Sequence, residues 1–327
     1  MLGFVLIIQV LTGLIIVLYF EPVAELAFGS VQYVIFEVNH GWFFRLLHFN
    51  GARIFFTLLY LHFFKALFYS SNNLYEVWVV GLLIFILLIM EAFLGYTLVW
   101  SQMSFWAGTV ITSLLRVIPV FGRTLVFWVW GGFGLNSNTL KFFYMVHFLV
   151  PFVVVVMVFF HLFFLHFYRS SSELNFPRKL ISQTFFPYYW VKDILNMLVF
   201  FIFFIGLRLF PFNLGDALGF EEVNELVSPV HIVPEWYFLW AYAILRAVPS
   251  KLLGVLALLL RLLVLFLIFP RYLPSNNLLR KAVVLFFITN RVVLSALGAC
   301  SPLPPFVRGS QLTRAVYFFL VFLYIVL

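Results

Sequence analysis

Charge is scarce in this chain: among 327 residues only 20 are Lys or Arg and 12 are Asp or Glu. Soluble globular domains carry about 25% charged residues, against 10% here, with 65% hydrophobic residues and a mean hydropathy of +1.10. These values exclude a soluble domain, a disordered chain, a collagen and a coiled coil. The formal net charge of +8 is scattered among apolar runs and never condenses into a basic cluster, which argues against nucleic acid as a partner. Cysteine is nearly absent as well. The single Cys300 leaves no disulfide framework, no CxxC zinc site and no all-thiolate iron–sulfur site within the chain. Residues 1–20 are apolar with neither a basic leader nor a small-residue cleavage site, so they read as a mature span rather than a removable signal.

What is present is a row of apolar stretches. A hydrocarbon layer about 30 Å thick needs about 20 mostly apolar helical residues. Eight stretches answer to it: 1–20, 42–69, 77–100, 142–165, 194–210, 252–269, 282–299 and a final one at 315–327 that reads as short. The expected fold is an all-α polytopic membrane protein with eight transmembrane helices. Between the third and fourth spans, Arg116, Pro119, Gly122, Arg123 and Gly131-Gly132 interrupt every run, predicting two short interfacial helices over 101–138. Basic residues in 169–192 (Arg169, Arg178, Lys179, Lys192) and 271–281 (Arg271, Arg280, Lys281) place those loops on the negative side by the positive-inside rule.

Polar groups inside the hydrocarbon layer are costly and mark function by default. The second span carries His48 and His62, the fourth His147 and His161, and each pair is separated by the same 14 positions. Fourteen helical residues turn through about 1400°, close to four full turns, and rise about 21 Å. Each pair therefore lies on nearly one face, at two depths. The two spans run in the same direction, so His48 is level with His147 and His62 with His161. Such an arrangement can clamp two flat cofactors, each by one imidazole from either side, and bis-His haem is the natural occupant. Tetrahedral zinc fits less well, because it wants more ligands converging at one point.

Gly3, Gly13 and Gly95 can let a macrocycle edge approach the backbone, although small residues also serve plain helix packing. Arg45 and Lys65 each lie three residues from a histidine on about the same face. They suit pairing with haem propionates, or snorkelling to the interface. Arg261 and Arg291 fall near the middle of the sixth and seventh spans, where a partner subunit or a water defect would accommodate them.

With these residues assembled, the chain resembles the mitochondrial and bacterial cytochrome b family, the core subunit of the cytochrome bc complex, respiratory complex III. The resemblance rests on Leu47-His48-Phe49-Asn50-Gly51-Ala52, Gly95-Tyr96 leading to Trp100-Ser101-Gln102-Met103-Ser104-Phe105-Trp106, Trp130-Gly131-Gly132-Phe133, His147 with His161 and His166, Lys192-Asp193-Ile194-Leu195, and Pro234-Glu235-Trp236-Tyr237-Phe238 continuing to Arg246. It implies that His48 and His147 ligate a low-potential haem near the positive side, and His62 and His161 a high-potential haem near the negative side. Glu235 would accept a proton from ubiquinol in the quinol-oxidising pocket, walled by Tyr242 and the Gly131 segment. His166, Asp193 and Lys192 would border the quinone-reducing pocket.

One electron from quinol would then pass to a Rieske iron–sulfur subunit and the other through the two b-type haems to quinone, with proton translocation across the membrane. The resemblance further implies a c-type cytochrome subunit and other complex III subunits as partners, a homodimeric complex and the mitochondrial inner membrane, with a bacterial plasma membrane the lesser expectation. Residues 1–192 would form the haem-binding half and 193–327 the half carrying the quinol-site loop.

The chain departs from the family pattern at Val99 and Ser101 around Trp100, at Ala107-Gly108, at Val120 and at Lys65. It also starts inside the first span, without the usual amphipathic segment. A transmembrane haem reductase lacking its flavin domain is the nearest alternative by chemistry, but no GxGxxG fingerprint follows the spans. A transporter would leave four spaced histidines unexplained. The split photosynthetic relative has one residue more in its second histidine pair.

Overall fold

The computed structural model describes residues 1–169, 183–213, 215–268 and 277–327. Arg178, Lys179 and Arg271, used above to orient the loops, lie outside the described residues. Twelve α-helices are found among the described residues: α1 Leu2–Val17, α2 Ala27–Phe36, α3 Gly41–Phe68, α4 Tyr75–Leu98, α5 Gln102–Ser113, α6 Gly122–Trp130, α7 Ser137–Tyr168, α8 Trp190–Leu209, α9 Leu239–Arg246, α10 Lys251–Leu263, α11 Leu278–Ala299 and α12 Phe306–Val326. The described residues contain no β-strand, only an isolated bridge between Ser101 and Glu222.

Eight of these helices, α1, α3, α4, α7, α8, α10, α11 and α12, coincide with the apolar stretches read from the sequence. Six are long and apolar enough to cross a membrane by themselves, counting the fifth as Phe185–Gly206. The other two fall below that length: α1 has 16 residues, and α10 has 13 before a 3-10 turn extends it through Val264–Leu267. The last span is not short, contrary to expectation. It begins at Phe306 and runs for 21 residues, because Arg308, Gln311 and Arg314 are accommodated in its first turns.

Local sequence sets several helix starts. Ser101 caps α5 and forms a reciprocal capping box with Ser104, satisfying amides that the first turn leaves unpaired. Asn136 and Thr139 do the same for α7, and Asn277 accepts the amides of Leu279 and Arg280 at the start of α11. Pro151 sits inside the 32-residue α7, where it forgoes one backbone hydrogen bond without ending the helix. The two short helices foreseen over 101–138 are α5 and α6. α2, in the first connection, had no sequence signal strong enough to be read.

α1 packs on α3 and α4 packs on α7, with α3 and α7 facing each other through their histidines. The C-terminal helices assemble around α11, which packs against α9 and α12. Polar side chains stitch these parts together inside an apolar protein. The Trp78 indole donates to the Leu265 carbonyl at 3.0 Å, the Tyr324 hydroxyl to that of Leu67 at 3.0 Å, and Asn50 Nδ2 to that of Pro211 at 3.0 Å. In a layer without water each such bond satisfies a group that would otherwise cost several kcal/mol.

Candidate cofactor and catalytic site

The four histidines meet as two pairs. The ring centres of His48 and His147 are 6.3 Å apart with planes crossed at 88°, and those of His62 and His161 are 6.2 Å apart at 66°. A metal held between two imidazoles by bonds of about 2.0 Å, each ring centre roughly 1.1 Å behind its nitrogen, would space the centres roughly 6.2 Å apart. Both pairs thus stand at the separation of two axial ligands on one iron. Among the described residues no three His, Cys, Asp or Glu side chains converge on a common point, so the donor set is two imidazoles per site. That is the requirement of a macrocycle that supplies its own equatorial nitrogens.

Glycines frame the pairs. A Cβ on Gly13 would lie 3.1 Å from Cε1 of His48, and one on Gly95 would lie 2.5 Å from Cε1 of His147. A third such position, Gly81, would lie 3.0 Å from Cε1 of His161. Any side chain at these glycines would press on a ring, so they keep the imidazoles and the space beside them free. Gly81 is absent from the sequence reading, although it precedes Gly95 by the same 14 residues that separate the histidines. Gly3 faces open space, with no atom within 4 Å of its would-be Cβ.

The second ring nitrogens of the first pair are held from α1 and α4. His48 Nδ1 lies 3.0 Å from the Thr12 hydroxyl. His147 Nδ1 lies 2.6 Å from Glu91 Oε1 and 3.1 Å from the Glu91 carbonyl oxygen. Such contacts fix tautomer and ring orientation.

A cavity of about 260 Å³ opens beside this pair, and its lining includes Arg45, Gly13, Gly95, Tyr96, Arg53 and Glu235. Glu235 stands at the end of the 212–235 loop and is held by Arg53 of α3, with Oε1 2.7 Å from Nη2 and Oε2 3.2 Å from Nε. The fork-to-fork geometry is that of a strong, directional charge pair, and Arg53 is 3% exposed. Arg53 escaped the sequence reading because its partner lies 182 residues away and it looks like an isolated charge in an apolar run. The Phe49 ring covers the same guanidinium, 3.9 Å from its Cζ.

Of the remaining residues singled out, Tyr242 donates to the Ile232 carbonyl at 3.4 Å beneath the Arg246 guanidinium, outside the lining of that cavity. Gly131 ends α6 at φ +63°, a left-handed conformation that favours glycine, and Asn138 Nδ2 donates to its carbonyl at 3.2 Å. Arg45 lies over the Phe49 ring, 5.4 Å from its centre, and Lys65 is in the last turn of α3. His166 is exposed near the end of α7, and Lys192 and Asp193 are exposed in the first turn of α8. Lys192 reaches the Tyr189 ring at 5.6 Å.

Arg261 and Arg291 are buried within the chain itself. They are 0% and 7% exposed and share an aromatic cage: Arg261 stacks on Trp240 and Tyr317, Arg291 on Trp240 and Tyr60, 3.7 and 4.2 Å from the ring centres. Cation–π attraction is worth about 2 kcal/mol or more when desolvated. This accounts for two charges that the sequence left without a place.

Residues 1–169 match the family model described as Cytochrome b/b6/petB, and residues 222–318 match that described as Cytochrome b(C-terminal)/b6/petD. The chain is 50% identical over 325 residues to cytochrome b of Caenorhabditis elegans, covering 99% of this chain and 88% of that protein. It is 43% identical over 332 residues to cytochrome b of Myxine glutinosa, covering 99% and 86%. Its fold is similar to a chain of a hyperthermophilic respiratory complex III, with a TM-score of 0.92, 28% identity, and coverage of 99% of this chain and 89% of that one.

Proposed function

The chain belongs to the cytochrome b family, and from that premise we propose that it is the electron-transferring subunit of ubiquinol–cytochrome c oxidoreductase. The observation that carries the reading is the pair of histidine couples, 6.3 and 6.2 Å between ring centres, at two depths about 21 Å apart along the helices. Two b-type haems bound there would supply one-electron transfer between the two faces of the membrane. His48 and His147 would hold the low-potential group, His62 and His161 the high-potential one. Gly13 and Gly95 leave room for a macrocycle, whereas Gly3, facing open space, does not take part; Arg45 and Lys65 pair with the propionates.

Ubiquinol oxidation sheds two protons, so a proton acceptor must stand within hydrogen-bond reach of the quinol hydroxyl. Glu235 fills that role on the positive side. The carboxylate exchanges one of its two Arg53 contacts for the hydroxyl, and the other contact keeps it aimed at the cavity. Tyr242 and the Gly131 segment wall the approach. On the negative side His166, Asp193 and Lys192 deliver protons to quinone. Residues 1–192 act as the haem-holding half and 193–327 as the half that brings Glu235 to it.

The partners are a Rieske iron–sulfur subunit, a c-type cytochrome and further complex III subunits in a homodimeric complex. The animal relatives support the mitochondrial inner membrane as its place. A reduced-minus-oxidised optical spectrum of the purified complex, recorded through a redox titration, tests the reading. Two b-type components at separate potentials are expected; a haem-free complex would overturn it.

A further inference from the structure

The two histidine couples differ in one respect that the proposed function leaves unused. Glu91 is the only acidic residue between Glu76 and Glu173. It projects from the middle of α4 into the apolar interior, where its side chain is 13% exposed. Its Oε1 lies 2.6 Å from Nδ1 of His147, whereas its Oε2 is buried without a hydrogen-bond partner. The one contact the Glu91 carboxyl group makes among the described residues is with the His147 imidazole.

We propose that Glu91 is a positioning residue that sets the redox potential of the centre held by His48 and His147. The inference rests on the haem reading given above. Were Nε2 of His147 to hold the iron, its Nδ1–H would be left to donate and the Glu91 carboxyl group 2.6 Å away would accept it. A carboxylate in that place makes the imidazole a more basic ligand, as in other carboxylate–histidine–metal arrangements. A more basic ligand favours the ferric over the ferrous state. One electron is taken up at the iron on reduction and no bond is made or broken; the proton stays on Nδ1.

The opposite ligand of the same centre has no carboxylate beside it; the Thr12 hydroxyl lies 3.0 Å from His48 Nδ1. Among the described residues no carboxylate pairs with His62 or His161. The effect is thus confined to one ligand of one centre. The backbone supplies a second acceptor, the Glu91 carbonyl at 3.1 Å, so removal of the carboxylate leaves the ring anchored.

The test is a redox titration of the assembled complex carrying Glu91→Gln or Glu91→Ala. The centre at issue is identified as the component missing from a His48→Leu complex. In both Glu91 variants that component should become easier to reduce, its reduced-to-oxidised ratio at fixed ambient potential rising about tenfold, 59 mV for a one-electron couple. The other component should not move. An unmoved potential, or an equal movement of both components, overturns the proposal. Loss of the first centre from both variants also overturns it, since Glu91 would then be an anchor and not a tuner. A wild-type complex with no b-type component would instead defeat the haem reading itself.

Discussion

The two histidine couples share one arrangement of paired imidazoles but stand in different surroundings, and the difference shows what the helices add to the spacing. Both have ring centres at about the separation of two axial ligands. The His48–His147 couple is gripped from both flanking helices, by Thr12 and Glu91, and opens on a cavity that also receives Arg45, Arg53 and Glu235. The His62–His161 couple has Gly81 against His161, Lys65 one turn beyond His62, and no carboxylate paired with either ring among the described residues. A repeated spacing therefore creates two equivalent sites, and neighbours at non-repeated positions make them inequivalent. Two centres in one chain must differ if an electron is to move between them in one direction.

The largest expected effect comes from removing one ligand. His48→Leu should abolish one b-type component in the redox titration and spare the other, and His62→Leu should do the reverse; loss of both components in either variant would mean that the couples are not independent. Glu235→Gln should slow quinol oxidation in a steady-state cytochrome c reduction assay by about 10²-fold or more, the scale of a positioned proton acceptor, with both components retained. A wild-type rate would take that role from Glu235.

Arg53→Leu leaves Glu235 without its partner in a partly buried place. Breaking a buried pair from one side costs about 3–5 kcal/mol, which should lower the thermal inactivation temperature of the complex. A crowding test separates the glycines: Gly81→Val should deplete the His62–His161 centre alone, while Gly3→Ala, facing open space, should change neither. The smallest effect is expected for Thr12→Val, which removes one neutral hydrogen bond worth about 1 kcal/mol. It should shift the His48–His147 component less than either Glu91 variant does.

Much of this was written in the chain, and the parts that were not have a common cause. Both histidine couples and eight apolar stretches follow from period and length, which act within one helix. Gly81 could have been found the same way, since it repeats the 14-residue step to Gly95. The Arg53–Glu235 pair and the Glu91–His147 contact join separate elements, 182 residues apart and 56 apart. No local pattern announces which face of one helix meets which residue of another. Arg261 and Arg291 were misplaced for the same reason, because their aromatic cage draws on α3, α9, α10, α11 and α12. The length of α12 was obscured by Arg308 and Arg314, which hydropathy counts as a break although the helix carries them.

His166, Asp193 and Lys192 differ in kind. Each is exposed, and no hydrogen bond or ion pair among the described residues joins His166 to the other two. Their proposed work in quinone reduction depends on substrate bringing them into one pocket. Exchange of Asp193 for Asn should accordingly slow reoxidation of the second centre by quinone and leave its potential unchanged.

The central claim is that each chain holds two haems between paired imidazoles. The most direct measurement is the protohaem content per chain of the purified complex, extracted and quantified as its pyridine adduct. Two per chain are expected in the wild type and one in His62→Leu. A wild type with one or none, or a His62→Leu complex that still holds two, would contradict the account.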